Sequence, residues 1–283
     1  MRYLVTGAAG MLGRDLQTAL AGRDVTALSR AEFDVTDAAS VRSIVGGHDV
    51  IINCAAYTKV DAAEADEDAA YAINATGVGT LATAAADAGA KLVSISTDYV
   101  FNGSATSPYA EDGTREPISA YGRTKAAGEE LALDRHPDGT YIVRTAWLYG
   151  AHGPNFAKTM LRLARTKESW AVVDDQIGQP TWTADLAAQI VLMLDSNAPT
   201  GIYHGTNSGQ TTWFDFARAV LEERGIDPSR ITRTDSASFA LPAPRPSYSV
   251  LGHDAWSRAA LPEMRDWRAA LSAASADGAI DPE

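Results

Sequence analysis

The chain has 283 residues, of which 46% are hydrophobic and 21% charged, and a formal net charge of −12. This length allows two domains or one enlarged domain, and the ordinary globular composition excludes fibrous, disordered and disulfide-scaffold proteins. The acidic balance opposes contact with a phosphate backbone, so we expect no nucleic-acid partner.

The apolar runs are all far shorter than the roughly 20 residues that a membrane helix needs. The first residues pass directly into a glycine motif with no signal-peptide cleavage pattern. We therefore expect a cytoplasmic protein with no membrane partner. Cys54 is the single cysteine and lies in an apolar run, which favours burial over reactivity.

Short apolar runs alternate with helical patterns through the first half of the chain. Strands are predicted over residues 3–6, 25–28, 50–54, 92–96 and 141–144, and helices from residue 12 to 20 and over 38–45 and 69–88, the last closed by Gly89. Such alternation is typical of a parallel sheet covered by helices.

The pattern is looser after residue 150. Helices are predicted over 155–165, 184–194 and 213–224, the last with Thr212 and Asp215 as a capping box, and strands over 170–173 and 201–204. Pro242, Pro244 and Pro246 indicate an extended loop. We expect one domain over 1–150, joined by parts of 170–197, a smaller mixed domain over 151–272 that is partly interleaved with it, and a flexible tail over 273–283.

A glycine turn directly follows the first predicted strand. Gly7, Gly10 and Gly13 stand three residues apart and open the first helix. Missing side chains there let a pyrophosphate approach the helix N-terminus, so the context predicts a dinucleotide site.

The end of the second strand bears on the choice of dinucleotide. A carboxylate there would bind the ribose 2′-hydroxyl of NAD, whereas this chain has Ser29 and Arg30, which suit the 2′-phosphate of NADP. NADPH is therefore expected, with NADH possible, although Arg30 could instead be a solvated surface charge. Asp34 could face the adenine, but either Asp34 or Asp37 could cap the helix over 38–45.

Tyr121 and Lys125 are four residues apart, so a helix would place them on one face. A neighbouring ammonium favours the phenolate and would lower the pKa of the tyrosine. Thr97 follows the fourth strand, at the sheet edge where ligands gather in α/β proteins. The three residues together predict proton transfer to a carbonyl oxygen.

These residues resemble the extended, nucleotide-sugar-modifying branch of the short-chain dehydrogenase/reductase superfamily. Within that branch the chain resembles the dTDP-4-dehydrorhamnose reductase family from residue 1 to about 270. The motifs that carry the resemblance are residues 53–64 (NCAAYTKVDAAE), 96–101 (STDYVF), 144–149 (RTAWLY), 155–160 (NFAKTM), 174–181 (DDQIGQPT) and 245–246 (RP). The resemblance implies an α/β fold: a Rossmann-like doubly wound parallel sheet with a smaller, mixed α/β C-terminal substrate domain.

The resemblance also implies roles for individual residues. The catalytic trio would be Thr97, Tyr121 and Lys125. The cofactor positions would be Gly7, Gly10, Met11, Leu12, Asp34, Val35, Ala55, Ala56 and Tyr57, beside the Gly13, Ser29 and Arg30 inferred above. Positions near the sugar nucleotide would be Thr58, Val60, Asp98, Trp147, Asn155 and Arg245.

Several of these positions have structural alternatives. Asp61 and Glu64 could form a capping box, Trp147 could be a core residue, and Arg245 could brace the proline loop. Some family members use Mg²⁺, for which Asp15 is the one matching candidate, and the oligomer is expected to be a monomer or homodimer.

The expected reaction is reduction of the C4 keto group of dTDP-4-dehydro-6-deoxy-L-mannose (dTDP-4-dehydro-β-L-rhamnose) to dTDP-L-rhamnose, the last step of dTDP-rhamnose synthesis. Two alternatives stay open: a nucleotide-sugar epimerase of the same branch, and a non-catalytic protein like the reductase-like regulatory subunit of methionine adenosyltransferase. The five histidines lack zinc-hydrolase spacing, and neither a G-x-S-x-G elbow nor a P-loop lysine is present. Hydrolase and kinase classes are therefore excluded.

Overall fold

The alternating runs of the first half form one parallel sheet in this computed structural model, which describes residues 1–239 and 241–282. The strand order is β10-β5-β4-β3-β1-β2, and every neighbouring pair is parallel. The strands are β1 (Arg2–Thr6), β2 (Asp24–Leu28), β3 (Val50–Asn53), β4 (Lys91–Thr97), β5 (Thr140–Thr145) and β10 (Gly201–His204).

The strand order reverses at β1, which pairs with β2 on one side and with β3 on the other. Thr6 stands level with Asn53 across this junction, and its hydroxyl donates to the Asn53 side chain at 2.6 Å. Loops after β1 and β3 therefore leave the sheet side by side. Ligands of doubly wound sheets bind in the crevice that such a reversal opens.

Helices cover both faces of the sheet. Because the strands are therefore buried on both sides, their sequences are continuously apolar. The helices are α1 (Met11–Ala19), α2 (Ala38–Val45), α3 (Val60–Ala63), α4 (Glu67–Tyr71), α5 (Val78–Ala88), α6 (Ala120–Arg135), α7 (Phe156–Thr166), α8 (Thr183–Asp195), α9 (Trp213–Glu222), α10 (Asp254–Arg258) and α11 (Trp267–Ala276). Val5 and Ile52 face a core shared with α1 and α8, whereas Leu4 and Ile51 face a core shared with α2 and α5.

A third core lies in the second half of the chain. Phe216 and Leu221 of α9 pack with Met160 of α7 and Leu271 of α11. Short strands complete this half: β6 (Leu148–Tyr149) with β9 (Thr181–Trp182), β7 (Trp170–Val173) with β12 (Ile231–Thr234), and β8 (Ile177–Gly178) with β11 (Thr211–Thr212). The fold class predicted from the sequence, an α/β parallel sheet of Rossmann type with a mixed second part, is confirmed.

Three local predictions differ from the structure. The helix predicted over 69–88 begins at Glu67 and contains a π-helical segment over Ala72–Gly77. The strand predicted over 201–204 belongs to the main sheet, not to the second part. The tail predicted as flexible over 273–283 is packed as far as the structure describes it, to residue 282, since α11 continues to Ala276 and Ile280 is fully buried. Ala274 belongs to the same buried core as Phe216 of α9, and small residues of this kind do not reveal such packing in a composition-based argument. The domain boundaries themselves stay a prediction.

Candidate active site

The glycine turn after β1 has the conformation that glycine alone adopts easily. Gly7 has φ of +65°, and a Cβ there would lie 2.7 Å from the backbone at Cys54 and Ala55. A Cβ on Gly13 would lie 2.5 Å from the Gly7 carbonyl. Gly10 begins α1 as its N-cap residue without a side-chain cap. The turn thus leaves the first amides of α1 open to an anion.

Arg30 lies at the cavity that begins at this turn, whereas Ser29 does not line it. The Ser29 amide and hydroxyl both donate to the Glu32 carboxylate, at 2.9 and 2.7 Å. Asp37 caps α2, accepting from the Ala39 amide at 3.0 Å, which decides between the two candidate caps. Asp34 lines the cavity and accepts from the Thr36 amide and hydroxyl.

One cavity of about 670 Å³ extends from the glycine turn to the ends of β4 and β5. Its lining includes most of the residues predicted for the site: Gly7, Gly10, Met11, Leu12, Gly13, Arg30, Asp34, Val35, Ala55, Ala56, Thr58, Val60, Thr97, Asp98, Tyr121, Lys125 and Trp147. The predicted dinucleotide and catalytic positions thus share a single cavity. Cys54 also lines it, and burial raises the pKa of its thiol to about 12.

The three predicted catalytic side chains come from two elements. Thr97 ends β4, and α6 carries Tyr121 in its first turn and Lys125 one turn later. Ser119 caps this helix by accepting from the Gly122 amide at 3.1 Å. Lys125 is buried, and its Nζ donates to the Ile95 carbonyl of β4 at 2.6 Å. This bond holds the helix against the strand that carries Thr97.

Burial dominates the protonation of this site. It raises the pKa of Tyr121 to about 12, against a smaller lowering by the Thr97 hydroxyl. It also lowers the pKa of Lys125 to about 8, opposed by the Glu129 carboxylate. The sequence predicted that Lys125 would lower the pKa of Tyr121. Desolvation is instead the larger effect, and it keeps the phenol protonated.

Two polar residues near the catalytic trio, Asn74 and Glu129, were not predicted from the sequence. Asn74, in the π-helical segment, accepts from the Tyr57 amide at 2.8 Å and donates to the Tyr57 carbonyl and to Thr124 of α6. Glu129 lies one turn beyond Lys125 and is paired with Arg144 of β5 in the interior. The one sequence signal for Glu129 is its position four residues after Lys125, but this spacing is also common on solvent-exposed helices.

Trp147 forms a wall of the cavity in an unusual backbone conformation. Its φ is +46°, and its ring stacks on Trp213 with centroids 3.6 Å apart. Gly178 also lies against the Trp147 indole, since a Cβ on Gly178 would come within 2.6 Å of the ring atoms Cε2 and Cζ2. Non-glycine residues adopt such φ values only where their surroundings hold them, often at functional sites. Trp147 both lines the cavity and packs against the core of the second half, so its role toward substrate stays a prediction.

Arg245 lies at a neighbouring cavity of about 540 Å³ that shares Tyr99 and Trp213 with the first. Its guanidinium donates to both Asp61 carboxylate oxygens, at 2.6 and 2.8 Å. Asp61 thus anchors the proline loop on α3 and does not form the suggested capping box, since the N-cap residue of α3 is Lys59, which makes no side-chain cap. Glu64 instead accepts from the Ala120 amide at the start of α6.

Besides Ser29 and Arg245, three predicted positions lie outside the lining of the first cavity. Asn155 caps α7 through the Lys158 amide and donates to the Gly150 carbonyl. Tyr57 is held through its backbone by Asn74, and it packs, as Tyr121 does, against the buried cluster of Ala63, Ala70 and Ala120. Asp15 lies 3.8 Å from His152. Within residues 1–239 and 241–282, no group of three or more His, Cys, Asp or Glu side chains could hold a metal ion.

A doubly wound sheet, a glycine turn at its reversal point, and a threonine, tyrosine and lysine in the same cavity define a protein of the extended short-chain dehydrogenase/reductase type. The described part of the chain has no helix with the length and apolarity needed to cross a bilayer.

Comparison with known proteins then gives the family. The family model described as RmlD substrate binding domain matches residues 1–279, and the chain belongs to this family. A dTDP-4-dehydrorhamnose reductase of Streptomyces griseus is 51% identical over 279 residues, covering 96% of this chain and 92% of the relative. A dTDP-4-keto-6-deoxy-D-glucose reductase of Streptomyces niveus is 50% identical over 277 residues, with 96% of each chain covered.

A solved structure shares the whole architecture. A dTDP-4-dehydrorhamnose reductase from Bacillus anthracis, crystallised in complex with NADP, superposes with a TM-score of 0.93 at 38% identity, covering 98% of this chain and 99% of that one.

Proposed function

We propose that the protein is an NADPH-dependent oxidoreductase that reduces the C4 keto group of dTDP-4-dehydro-6-deoxy-L-mannose to dTDP-L-rhamnose, the last step of dTDP-rhamnose synthesis. The observation that carries this proposal is the single cavity that joins the glycine turn to Thr97, Tyr121 and Lys125. The names and the high identity of the relatives support the choice of substrate.

The residues of the cavity fit a bound dinucleotide. The glycine turn offers open amides for a diphosphate, and Arg30 offers a guanidinium for a 2′-phosphate. Bound NADPH supplies the hydride. Lys125 holds the nicotinamide ribose in this proposal, and Met11, Leu12, Val35, Ala55 and Ala56 supply apolar walls.

Tyr121 is the proton donor in this mechanism. A protonated phenol can give its proton to the oxygen that develops negative charge as hydride arrives at C4. The pKa of Tyr121, raised to about 12 by burial, keeps the phenol protonated at neutral pH. Thr97 lies on the same side of the cavity and polarises the carbonyl.

The substrate end of the first cavity and the second cavity together suit the sugar nucleotide. We assign the diphosphate to Arg245, the deoxysugar to the space between Thr58, Val60, Asp98 and Trp147, and the nucleoside to the apolar walls beyond Trp213. A guanidinium presents a forked donor set to phosphate oxygens. A cytoplasmic location and an assembly of one or two copies belong to the same proposal.

Turnover of the purified protein tests this function. We expect oxidation of NADPH, followed at 340 nm, when dTDP-4-dehydro-6-deoxy-L-mannose is added. Tyr121→Phe should lower kcat by about 10²–10⁴-fold, the range for general acid catalysis, while NADPH still binds. Near wild-type turnover by a folded, NADPH-binding Tyr121→Phe variant would refute the role given to this residue.

The same assay decides between the alternatives. An epimerase would retain tightly bound NAD and show no net oxidation. A non-catalytic regulatory subunit would capture a partner protein and leave NADPH unchanged. The presence of Thr97, Tyr121 and Lys125 in one cavity favours catalysis over the non-catalytic alternative, and the assay for net NADPH oxidation separates a reductase from an epimerase.

A further inference from the structure

Asp98 is a buried carboxylate beside the proposed catalytic trio. Asp98 is 2% exposed and lines the first cavity. One oxygen, Oδ1, accepts the Thr97 hydroxyl at 2.9 Å. The other, Oδ2, is buried and makes no hydrogen bond of good geometry within the residues that the structure describes, although the Ser249 hydroxyl is close enough to the carboxyl group to lower its pKa. A buried carboxylate oxygen without a donor is costly, and a proton on the carboxyl group relieves that cost.

The Thr97 hydroxyl has a single proton to give. Its oxygen accepts from the Tyr99 amide at 3.2 Å, and its proton goes to Asp98. A hydroxyl that donates to an ionised Asp98 cannot at the same moment donate to a ketone or to the Tyr121 phenolate. The role of Thr97 toward substrate and Tyr121 therefore depends on whether Asp98 holds a proton.

We propose that Asp98 is a proton donor in the reaction and passes its proton through the Thr97 hydroxyl to Tyr121. This inference rests on the proposed ketone reduction. Hydride reaches C4 while the oxygen takes the phenolic proton of Tyr121. In the same concerted step Tyr121 takes the proton of Thr97 and Thr97 takes the proton of the Asp98 carboxyl group, so hydride transfer itself requires a protonated Asp98. The Asp98 carboxylate then regains a proton from water after the product leaves, so each turnover consumes one solvent proton.

The surroundings of Asp98 suit this role. Burial raises the pKa of Asp98 to about 6, and the hydroxyls of Ser249 and Thr97 act in the opposite direction. The neighbouring titratable groups are Tyr99 and Tyr121, whose pKa values burial raises. Arg245 and Asp61 act on Tyr99 from the proline loop and α3. Of this set, Asp98 is the group that changes charge near pH 6.

A single-turnover pH profile tests the relay. Enzyme preloaded with NADPH is mixed with dTDP-4-dehydro-6-deoxy-L-mannose between pH 5 and 9, and NADPH oxidation is followed at 340 nm. The wild-type rate should fall about tenfold per pH unit above about pH 6, as expected for loss of one essential proton. Asp98→Asn should be at least about tenfold slower at pH 6 and should lack this dependence below about pH 8, where Lys125 begins to lose its charge.

Ser249→Ala is the matched variant because it leaves the acid in place. Removal of the Ser249 hydroxyl takes away an interaction that lowers the pKa of Asp98. The falling part of the profile should then move to higher pH, and the rate at pH 7 should exceed that of the wild type. Circular dichroism and NADPH affinity establish that both variants are folded.

Two results would overturn the relay and leave the proposed function standing. One is an Asp98→Asn profile that parallels the wild type, even with a raised KM, since that describes a substrate contact only. The other is a Ser249→Ala profile that does not move. Absence of turnover by the wild type would instead overturn the proposed function, and the relay with it.

Discussion

The Arg144 guanidinium binds the Glu129 carboxylate through two hydrogen bonds, of 2.9 and 2.7 Å, with both side chains 1% exposed. Ser96 donates to the same carboxylate, and the third guanidinium nitrogen of Arg144, Nη1, lies 3.3 Å from His204 Nε2. This buried group links β4, β5, β10 and α6 behind the catalytic side chains. Glu129 also favours the charged form of Lys125.

Arg144→Met should destabilise the fold severely because it removes the bidentate partner of the buried Glu129 and leaves only the longer 3.4 Å contact to Arg115. Loss of one member of a buried pair costs about 3–5 kcal/mol. The double variant Arg144→Met/Glu129→Gln should recover part of that loss. Urea unfolding of the three proteins measures the difference, and equal stabilities for the single and double variants would contradict this account.

Lys125→Met should stabilise the protein near neutral pH while it abolishes turnover. Burial lowers the pKa of Lys125 from 10.5 to about 8, so the folded state opposes the charge that the unfolded chain carries freely. The penalty is fully present below pH 8 and disappears as the pH rises to 10.5. It is on the order of 3 kcal/mol at 1.36 kcal/mol per pKa unit. The stability gain measured by urea unfolding should therefore shrink between pH 7 and pH 10, and a pH-independent gain would show that charge is not its cause.

Arg245→Met should raise the KM for the sugar nucleotide by at least about tenfold without changing NADPH affinity, because a lost charge-assisted contact costs about 1.5–3 kcal/mol. Asp61→Asn should raise KM less, since it only releases the guanidinium from its anchor. The pair is partly exposed, so the free energy of unfolding should change little in either variant. A KM unchanged by Arg245→Met would remove this residue from the substrate site.

The Asp61–Arg245 contact should also be insensitive to pH across the working range. Arg245 lowers the pKa of Asp61 below its ordinary value of 3.8. The contribution of the pair is therefore present above pH 4 and is lost only as the pH falls through that lowered value. Chemical shifts of the Asp61 carboxyl carbon between pH 2 and 8 check the direction.

Gly178→Ala should act on the substrate site through Trp147. A Cβ at residue 178 would lie 2.6 Å from the Trp147 indole, which Trp213 holds from its stacked face. We expect kcat/KM for the sugar nucleotide to fall at least about tenfold, as for other small displacements of positioning groups. NADPH affinity should stay unchanged. Gly46→Ala is the control because a Cβ there makes only an ordinary contact of 3.5 Å.

The sequence predicted those parts of the site that depend on local spacing. The glycine turn follows from Gly7, Gly10 and Gly13, and the helical neighbours Tyr121 and Lys125 follow from their separation of four residues. The continuous apolar strands predicted a sheet buried on both faces.

Contacts between distant segments could not be read in this way. Asp61 and Arg245 are 184 residues apart, and nothing in either local pattern indicates their pairing. The direction of the pKa shift of Tyr121 was also predicted wrongly, as a lowering instead of a rise. The charge of Lys125, four residues away, is visible in the sequence, but the desolvation that raises the pKa is not. The π-helical segment around Asn74 is hidden for a similar reason, because it is fixed by contacts to Tyr57 and Thr124.

Gly7→Ala should weaken both NADPH binding and the fold, and Gly22→Ala separates the two causes. Both glycines have positive φ, +65° and +81°, so alanine at either site adopts a strained backbone costing about 1–2 kcal/mol. Gly22 has open space around its Cα, whereas a Cβ on Gly7 meets the chain after β3 at 2.7 Å.

Gly22→Ala should therefore lose only the conformational cost and keep its affinity for NADPH. Gly7→Ala should lose more stability in urea unfolding, because the clash moves the turn away from the end of β3. Its NADPH dissociation constant, measured by quenching of tryptophan fluorescence, should rise at least about tenfold, since displaced amides no longer converge on the diphosphate. Equal effects of the two substitutions on NADPH binding would show that the close approach of the turn to β3 does not form the dinucleotide site.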